Sequence, residues 1–168
     1  HELGSTIDGH EVGFERVEDI RDAQVLVTVG NNGVRARLQA RAEALGLHIT
    51  TYTSHRAHLV TQEELGAGSV VLAGAVVNWA ARLGKGVIIG SAAVVEHDAQ
   101  VDDFVHVSPG AVLAGGARVG KGCFIGVNAS VVAQVTLADG VTLGAGAVAV
   151  EDLREPGVYA GSPARRVD

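Results

Sequence analysis

From Leu65 to Val148 the sequence falls into an unbroken register of six. The segments are LGAGSV, VLAGAV, VNWAAR, LGKGVI, IGSAAV, VEHDAQ, VDDFVH, VSPGAV, LAGGAR, VGKGCF, IGVNAS, VVAQVT, LADGVT and LGAGAV, and every one starts with Leu, Val or Ile. The fifth position is always Ala, Val, Ser or Cys, from Ser69 through Cys123 to Ala147. Neither the two-residue period of a strand nor the 3.6-residue period of a helix produces this pattern. A short flat strand with a corner every six residues does: the aliphatic residue points inward and the small fifth residue fits inside the turn. The second position is often Gly, Asn or Asp, residues that tolerate positive φ, so the corner's left-handed residue is expected there. A low-complexity Gly/Ala coil is excluded, because the aliphatic position never slips.

Composition agrees with a narrow, regular interior. The 168 residues are 47% hydrophobic but only 4% aromatic, with 23 Gly, and small side chains cannot fill a wide core. A net charge of −6 argues against general nucleic-acid binding. The single cysteine, Cys123, permits no intrachain disulfide and fits a reducing, cytoplasmic setting, with a buried structural thiol as its expected role. No apolar run suits a membrane span, and no signal peptide is visible.

The residues before the coils follow a different plan. "AQVLVTVG" reads as a buried strand ending at Gly30, and "HITTYT" as a second strand. Between them "NNGVRARLQARAEALGL" reads as an amphipathic helix, with Val34, Leu38 and Leu45 inward and Arg35, Arg37 and Arg41 outward. Strand, helix, strand implies part of an open α/β sheet. "VEDIRDA" ahead of it reads as a short helix, and "HELGSTIDGHEVG" as a loop turning at Asp8-Gly9. Sheets of this kind usually begin with a strand and a Gly-rich phosphate loop. Neither is in the sequence, and there is no Met, so that turn is expected to precede His1. His55 and His58 fall in a linker. After the coils, "YAGSPARRVD" is a polar tail suited to covering the open end of the stack. The expected division is 1–58 for a partial α/β domain, 59–150 for the coils and 151–168 for the cap.

The hexapeptide pattern is similar to that of left-handed parallel β-helices, in which three segments form one triangular coil and residues eighteen apart stack in a column. The fold class expected is mainly β, a left-handed β-helix of four to five coils preceded by a small, apparently truncated α/β domain. "VEHDAQVDDFVHVSPGAVLAGG", "CFIGVN", "AGSPARR" and "VGNNGVR" together resemble the hexapeptide acyltransferases, in particular the sugar O/N-acetyltransferases of the sialic acid and UDP-bacillosamine type. The resemblance implies a homotrimer with its site between adjacent β-helices. It implies acetyl-CoA as cosubstrate, no metal, and a UDP-linked amino sugar as acceptor. It makes His97 the general base and Asp98 the acid that raises its basicity. His106 would contact the thioester, and the backbone amides of Gly115, Val127 and Ala145 the acetyl and pantetheine groups. Gly30 and Asn31 would touch the nucleotide sugar, and Asn78 and Trp79, one coil below the base, the acceptor. Gly90 stands where relatives often carry Asn, and Trp79 where a small residue is common.

The chemistry is consistent with those roles. Acetyl transfer needs an aligned thioester and a base working near neutral pH; imidazole, with an ordinary pKa near ~6.5, suits that task. His97 and His106 are nine residues apart, half a coil, so they lie on opposite sides of one chain and can share a site only across a threefold assembly. Two bland alternatives exist, exposed surface histidines or a non-enzymatic scaffold. A zinc site of the kind found in carbonic anhydrases with this coil architecture needs three His, and the coils from Leu65 hold two. An O-acetyltransferase acting on sialic acid or another hydroxylated small molecule would use the same base.

Overall fold

The structure is a computed structural model. It describes residues 24–168 together with the strand pair Thr6–Ile7 and His10–Glu11. Those two strands pair antiparallel on either side of Asp8-Gly9; the short helix expected at "VEDIRDA" lies outside the described residues.

Parallel two-residue strands stack into a three-sided prism. On the first face Val70, Ile88, His106, Phe124 and Thr142 pair in sequence. On the second the column runs His58, Val76, Val94, Val112, Ser130 and Val148. On the third it runs Arg82, Gln100, Arg118 and Thr136. Each step is eighteen residues, the column spacing of a left-handed β-helix. The aliphatic first positions Ile89, Leu113, Ile125 and Leu143, and the small fifth positions Ala93, Ala111 and Ala147, are fully buried. Cys123 is buried among them, and burial pushes its thiol up to about 12.

Corner chemistry differs from expectation. The left-handed residue is the fourth of each segment, not the second, from Gly68 (φ 79°) through Asp98 (φ 60°) to Gly146 (φ 66°). Second-position glycines serve close approach between coils. A Cβ at Gly120 would stand 2.6 Å from Asp139 N, and one at Gly126 2.5 Å from Ala145 N.

The stack is longer than four to five coils. Tyr52–Thr53 pairs with Val70–Val71, and His58–Leu59 with Val76–Val77. Pairing therefore begins at Tyr52, ahead of the boundary placed at 59, and His58 is a strand residue rather than linker. Thr53 occupies an aliphatic position there and so broke the register; an end coil is covered on one side only and tolerates a polar residue. At the far end Gly157–Ala160 adds a parallel strand to Val141–Leu143, and Arg165–Arg166 folds back antiparallel on it. Tyr159 and Ala164 join the core.

Ahead of the coils, Gln24–Val25 and His48–Ile49 pair in parallel around a helix, α1, Asn32–Ala44. "AQVLVTVG" is paired only at its start, and Val29 is exposed rather than buried. The helix is turned around from its expected orientation. Arg35, Gln39 and Ala42 face inward and are buried, while Leu38 and Leu45 are exposed. The surface it meets explains this, because a prism corner offers carbonyl oxygens rather than apolar side chains. Arg35 donates from Nε to Gly86 O at 2.7 Å and from Nη2 to Phe104 O at 3.0 Å and Val105 O at 3.4 Å. Gln39 donates to Ala67 O at 3.1 Å. A buried guanidinium with no such acceptors would be costly.

Candidate active site

His97 and Asp98 form the corner between the second and third faces. The left-handed backbone of Asp98 folds its carboxylate back on the preceding ring, and His97 Nδ1 lies 2.8 Å from Asp98 Oδ2. The corner is pinned from both neighbouring coils: Asp98 N donates to Trp79 O at 3.1 Å, and Gly116 N to His97 O at 2.9 Å. The imidazole rests on Gly115, where a Cβ would stand 2.7 Å from His97 Nε2. A glycine is therefore required one coil above the ring. The hydrogen bond to Asp98 raises the His97 pKa above its ordinary value; slight desolvation opposes, and the charges of Asp98 and Glu96 add to the rise. With Nδ1 held by Asp98, Nε2 is the free nitrogen that can take a proton.

Glu96 was not singled out from the sequence, yet it belongs to this corner. Its Oε2 accepts from Asn78 Nδ2 at 2.9 Å and from His97 N at 3.3 Å. Asn78 and Trp79 lie one coil below, as expected, and the Trp79 side chain is left 61% exposed.

His106 sits on the first face, across the prism from this corner, so one chain does not bring the two histidines together. Its ring meets Phe124 edge-on, with centroids 5.1 Å apart, and its Nδ1 lies 3.3 Å from Gly30 O. Burial lowers its pKa, the Gly30 carbonyl pulls the other way, and the Arg35 charge lowers it further. Gly30 is thus brought to His106, and Arg35 Nη1 also reaches Val29 O at 2.8 Å and Gly30 O at 3.3 Å. Asn31 has its side chain committed as the N-cap of α1, accepting from Val34 N at 2.9 Å. Asn32, also not singled out, donates to Gly122 O and Cys123 O at 3.0 Å each. Arg35 was placed outward and Asn32 passed over because helical periodicity in a short polar helix does not say which stripe meets carbonyls.

The amides of Gly115, Val127 and Ala145 donate to no acceptor among the described residues. Gly115 shares the His97 corner, whereas Val127 and Ala145 stack at the corner between the first and second faces. A groove on the third face, lined in part by Arg82, Gln100, Asp102 and Lys121, includes neither histidine. Among the described residues no group of three His, Cys, Asp or Glu side chains is gathered for a metal, and no helix is long and apolar enough to cross a membrane. Arg165 and Arg166 are tied to Glu151 and Glu155 at 2.8 and 2.9 Å.

No family model matches the sequence. Solved structures do. The acetyltransferase domain of PglB from Neisseria gonorrhoeae superposes with a TM-score of 0.92 at 37% identity, over 99% of this chain and 83% of that one. The chain belongs to the hexapeptide-repeat acetyltransferases. The same PglB domain in complex with acetyl coenzyme A matches with a TM-score of 0.84 at 37% identity, over 99% and 83% of the two chains. PerB from Caulobacter crescentus, in complex with CoA and GDP-perosamine, matches with a TM-score of 0.75 at 32% identity, over 87% of this chain and 70% of that one. WeeI from Acinetobacter baumannii, at 22% identity and a TM-score of 0.81, shares the fold.

Proposed function

We propose that this acetyltransferase moves the acetyl group of acetyl-CoA to the amine of a nucleotide-linked amino sugar, of the UDP-4-amino-sugar type. The observation that carries the reading is the His97-Asp98 pair, with Nε2 open on an exposed corner. Acetyl-CoA is the donor. The amine nitrogen attacks the thioester carbonyl, His97 Nε2 takes the amine proton, and the C–S bond breaks to release CoA as the thiol after protonation. The only cysteine is buried with its thiol held protonated, which favours direct transfer over an acyl-enzyme.

The working enzyme is a cytoplasmic homotrimer in which His97 of one chain faces His106 of the partner subunit. Two observations support this. The outward residues of the second face, Val76, Val94 and Val112 and, past Ser130, Val148, form a half-exposed and mostly aliphatic stripe suited to a partner. The amides of Gly115 and of Val127 and Ala145, without acceptors among the described residues, also sit at two different corners, an arrangement that suits a pantetheine held between two chains. His106, Gly115, Val127 and Ala145 hold the acetyl-CoA arm. Asn78 and Trp79 meet the acceptor sugar. The segment ahead of Tyr52, with Gly30 and Asn31, carries the nucleotide; residues 151–168 close the stack.

The test is an acceptor screen with acetyl-CoA, covering UDP- and GDP-linked amino sugars, free sialic acid and serine, read by thiol release. Turnover confined to a nucleotide amino sugar is expected. Preference for sialic acid would replace the amine acceptor with a hydroxyl one.

A further inference from the structure

Three features of the His97 corner have no part in the base itself. Glu96 is half-buried, and its Oε2 is engaged by Asn78 Nδ2 and His97 N, so the carboxylate is held in one orientation. Its Oε1 has no hydrogen-bond partner among the described residues. Beneath it, Trp79 is anchored by its backbone carbonyl under Asp98 N at 3.1 Å while its indole stays 61% exposed. Among the exposed aromatic residues of the described coils Trp79 is the most exposed, and core packing does not explain it.

Taking the acetyl transfer above as its basis, we propose that Glu96 and Trp79 dock the acceptor as an ammonium ion, and so select amines over hydroxyls at the His97 corner. A protonated amine carries a charge and three N–H donors. Glu96 Oε1 supplies a fixed anionic acceptor for one of them. The indole supplies a face that attracts a cation and packs against the sugar's C–H surface. His97 Nε2 takes the ammonium proton and passes it to solvent, which leaves the nitrogen lone pair free to attack the thioester carbon; the same Nε2 then takes the second N–H proton from the adduct and returns it to the departing CoA thiolate. A hydroxyl acceptor arrives neutral: it keeps the C–H packing on the indole and one O–H hydrogen bond to Glu96, but gains neither the ion pair nor the cation–π attraction. Asn78 positions Glu96 and does not itself meet the acceptor's charge in this scheme. The titratable groups facing His97 are Asp98 and Glu96; the coils above and below contribute Gly115 and the uncharged Asn78 and Trp79.

The test is Glu96→Gln, which keeps an acceptor for Asn78, compared with wild type, Trp79→Phe and Trp79→Leu in steady-state kinetics across pH. Glu96→Gln should raise KM for the amino sugar about tenfold with KM for acetyl-CoA unchanged. It should also move the acidic limb of kcat/KM to lower pH, because a negative charge that favours imidazolium is gone. Trp79→Leu should raise the acceptor KM several-fold, and Trp79→Phe, which keeps a smaller ring face, should raise it by less. Thermal midpoints should stay near wild type, since Trp79 is exposed and glutamine at 96 keeps an acceptor for Asn78. An unchanged acceptor KM together with an unmoved acidic limb in Glu96→Gln overturns the proposal while leaving the acetyltransferase reading intact. A wild-type enzyme that acetylates no amino sugar takes down both.

Discussion

Replacing Gly115 by Ala puts a single methyl group against the His97 ring from the coil above. The added Cβ would lie 2.7 Å from Nε2 and 2.8 Å from Cε1, whereas ordinary contact begins at 3.4 Å. The ring must retreat by about 0.7 Å, and the rigid coil above cannot give way in its place. Because the ring is the end of an exposed side chain, the fold absorbs the change cheaply, and a stability loss under about 1 kcal/mol is expected. Catalysis does not absorb it. A displacement approaching 1 Å at a reacting group costs on the order of 10²-fold, so kcat should fall about 10²-fold. The backbone amide of residue 115 is retained, so calorimetry should find acetyl-CoA affinity within about threefold of wild type, about 0.65 kcal/mol. The assay is kcat by thiol release beside acetyl-CoA titration and a melting curve. Wild-type turnover in Gly115→Ala would show that the seat of the ring is irrelevant to catalysis. A collapse of CoA affinity with kcat preserved would make Gly115 a binding residue only.

His97→Ala should lose about 10² to 10⁴ in kcat while still binding acetyl-CoA, as rates and calorimetry will tell. Asp98→Asn should be milder. The Asp98 hydrogen bond is the main cause of the raised His97 pKa, so its loss moves the acidic limb of kcat/KM downward in pH, and an upward shift would contradict the assignment. Arg35→Met leaves the carbonyls of Gly86, Phe104 and Val105 without their donor and should destabilise the chain by about 3 kcal/mol or more; denaturant titration reads it, and a neutral result would refute the role given to Arg35. Val94→Glu places a charge in the aliphatic stripe of the second face and should yield monomers in analytical ultracentrifugation, whereas an intact trimer would place the interface elsewhere.

What the sequence disclosed follows from how many times a constraint is repeated. The register of six is written fourteen times, so the coils and their inward side chains were legible without coordinates. So was the pairing of His97 with Asp98, because adjacent residues on a known corner have few arrangements. The position of the left-handed residue was misjudged. Gly at the second position permits close coil approach, and Gly at the fourth permits positive φ, two uses of one residue type that composition does not separate. The orientation of α1 was misjudged for a different reason. Hydrophobic periodicity presumes an apolar partner, but the helix packs on a prism corner that presents carbonyls, and Arg35 and Gln39 answer that surface. Glu96 was missed because its role comes from Asn78, eighteen residues away, a relation visible only once columns are built.

The measurement that bears most directly on the central claim is subunit complementation. His97→Ala and His106→Ala proteins, each nearly inactive alone, are unfolded together, refolded as an equimolar mixture and assayed. If the site forms between chains, one partner supplies an intact His97 and the next an intact His106, and about one quarter of the interfaces recover both, with turnover near one quarter of wild type. Activity no higher than that of either variant alone would contradict a site shared between subunits.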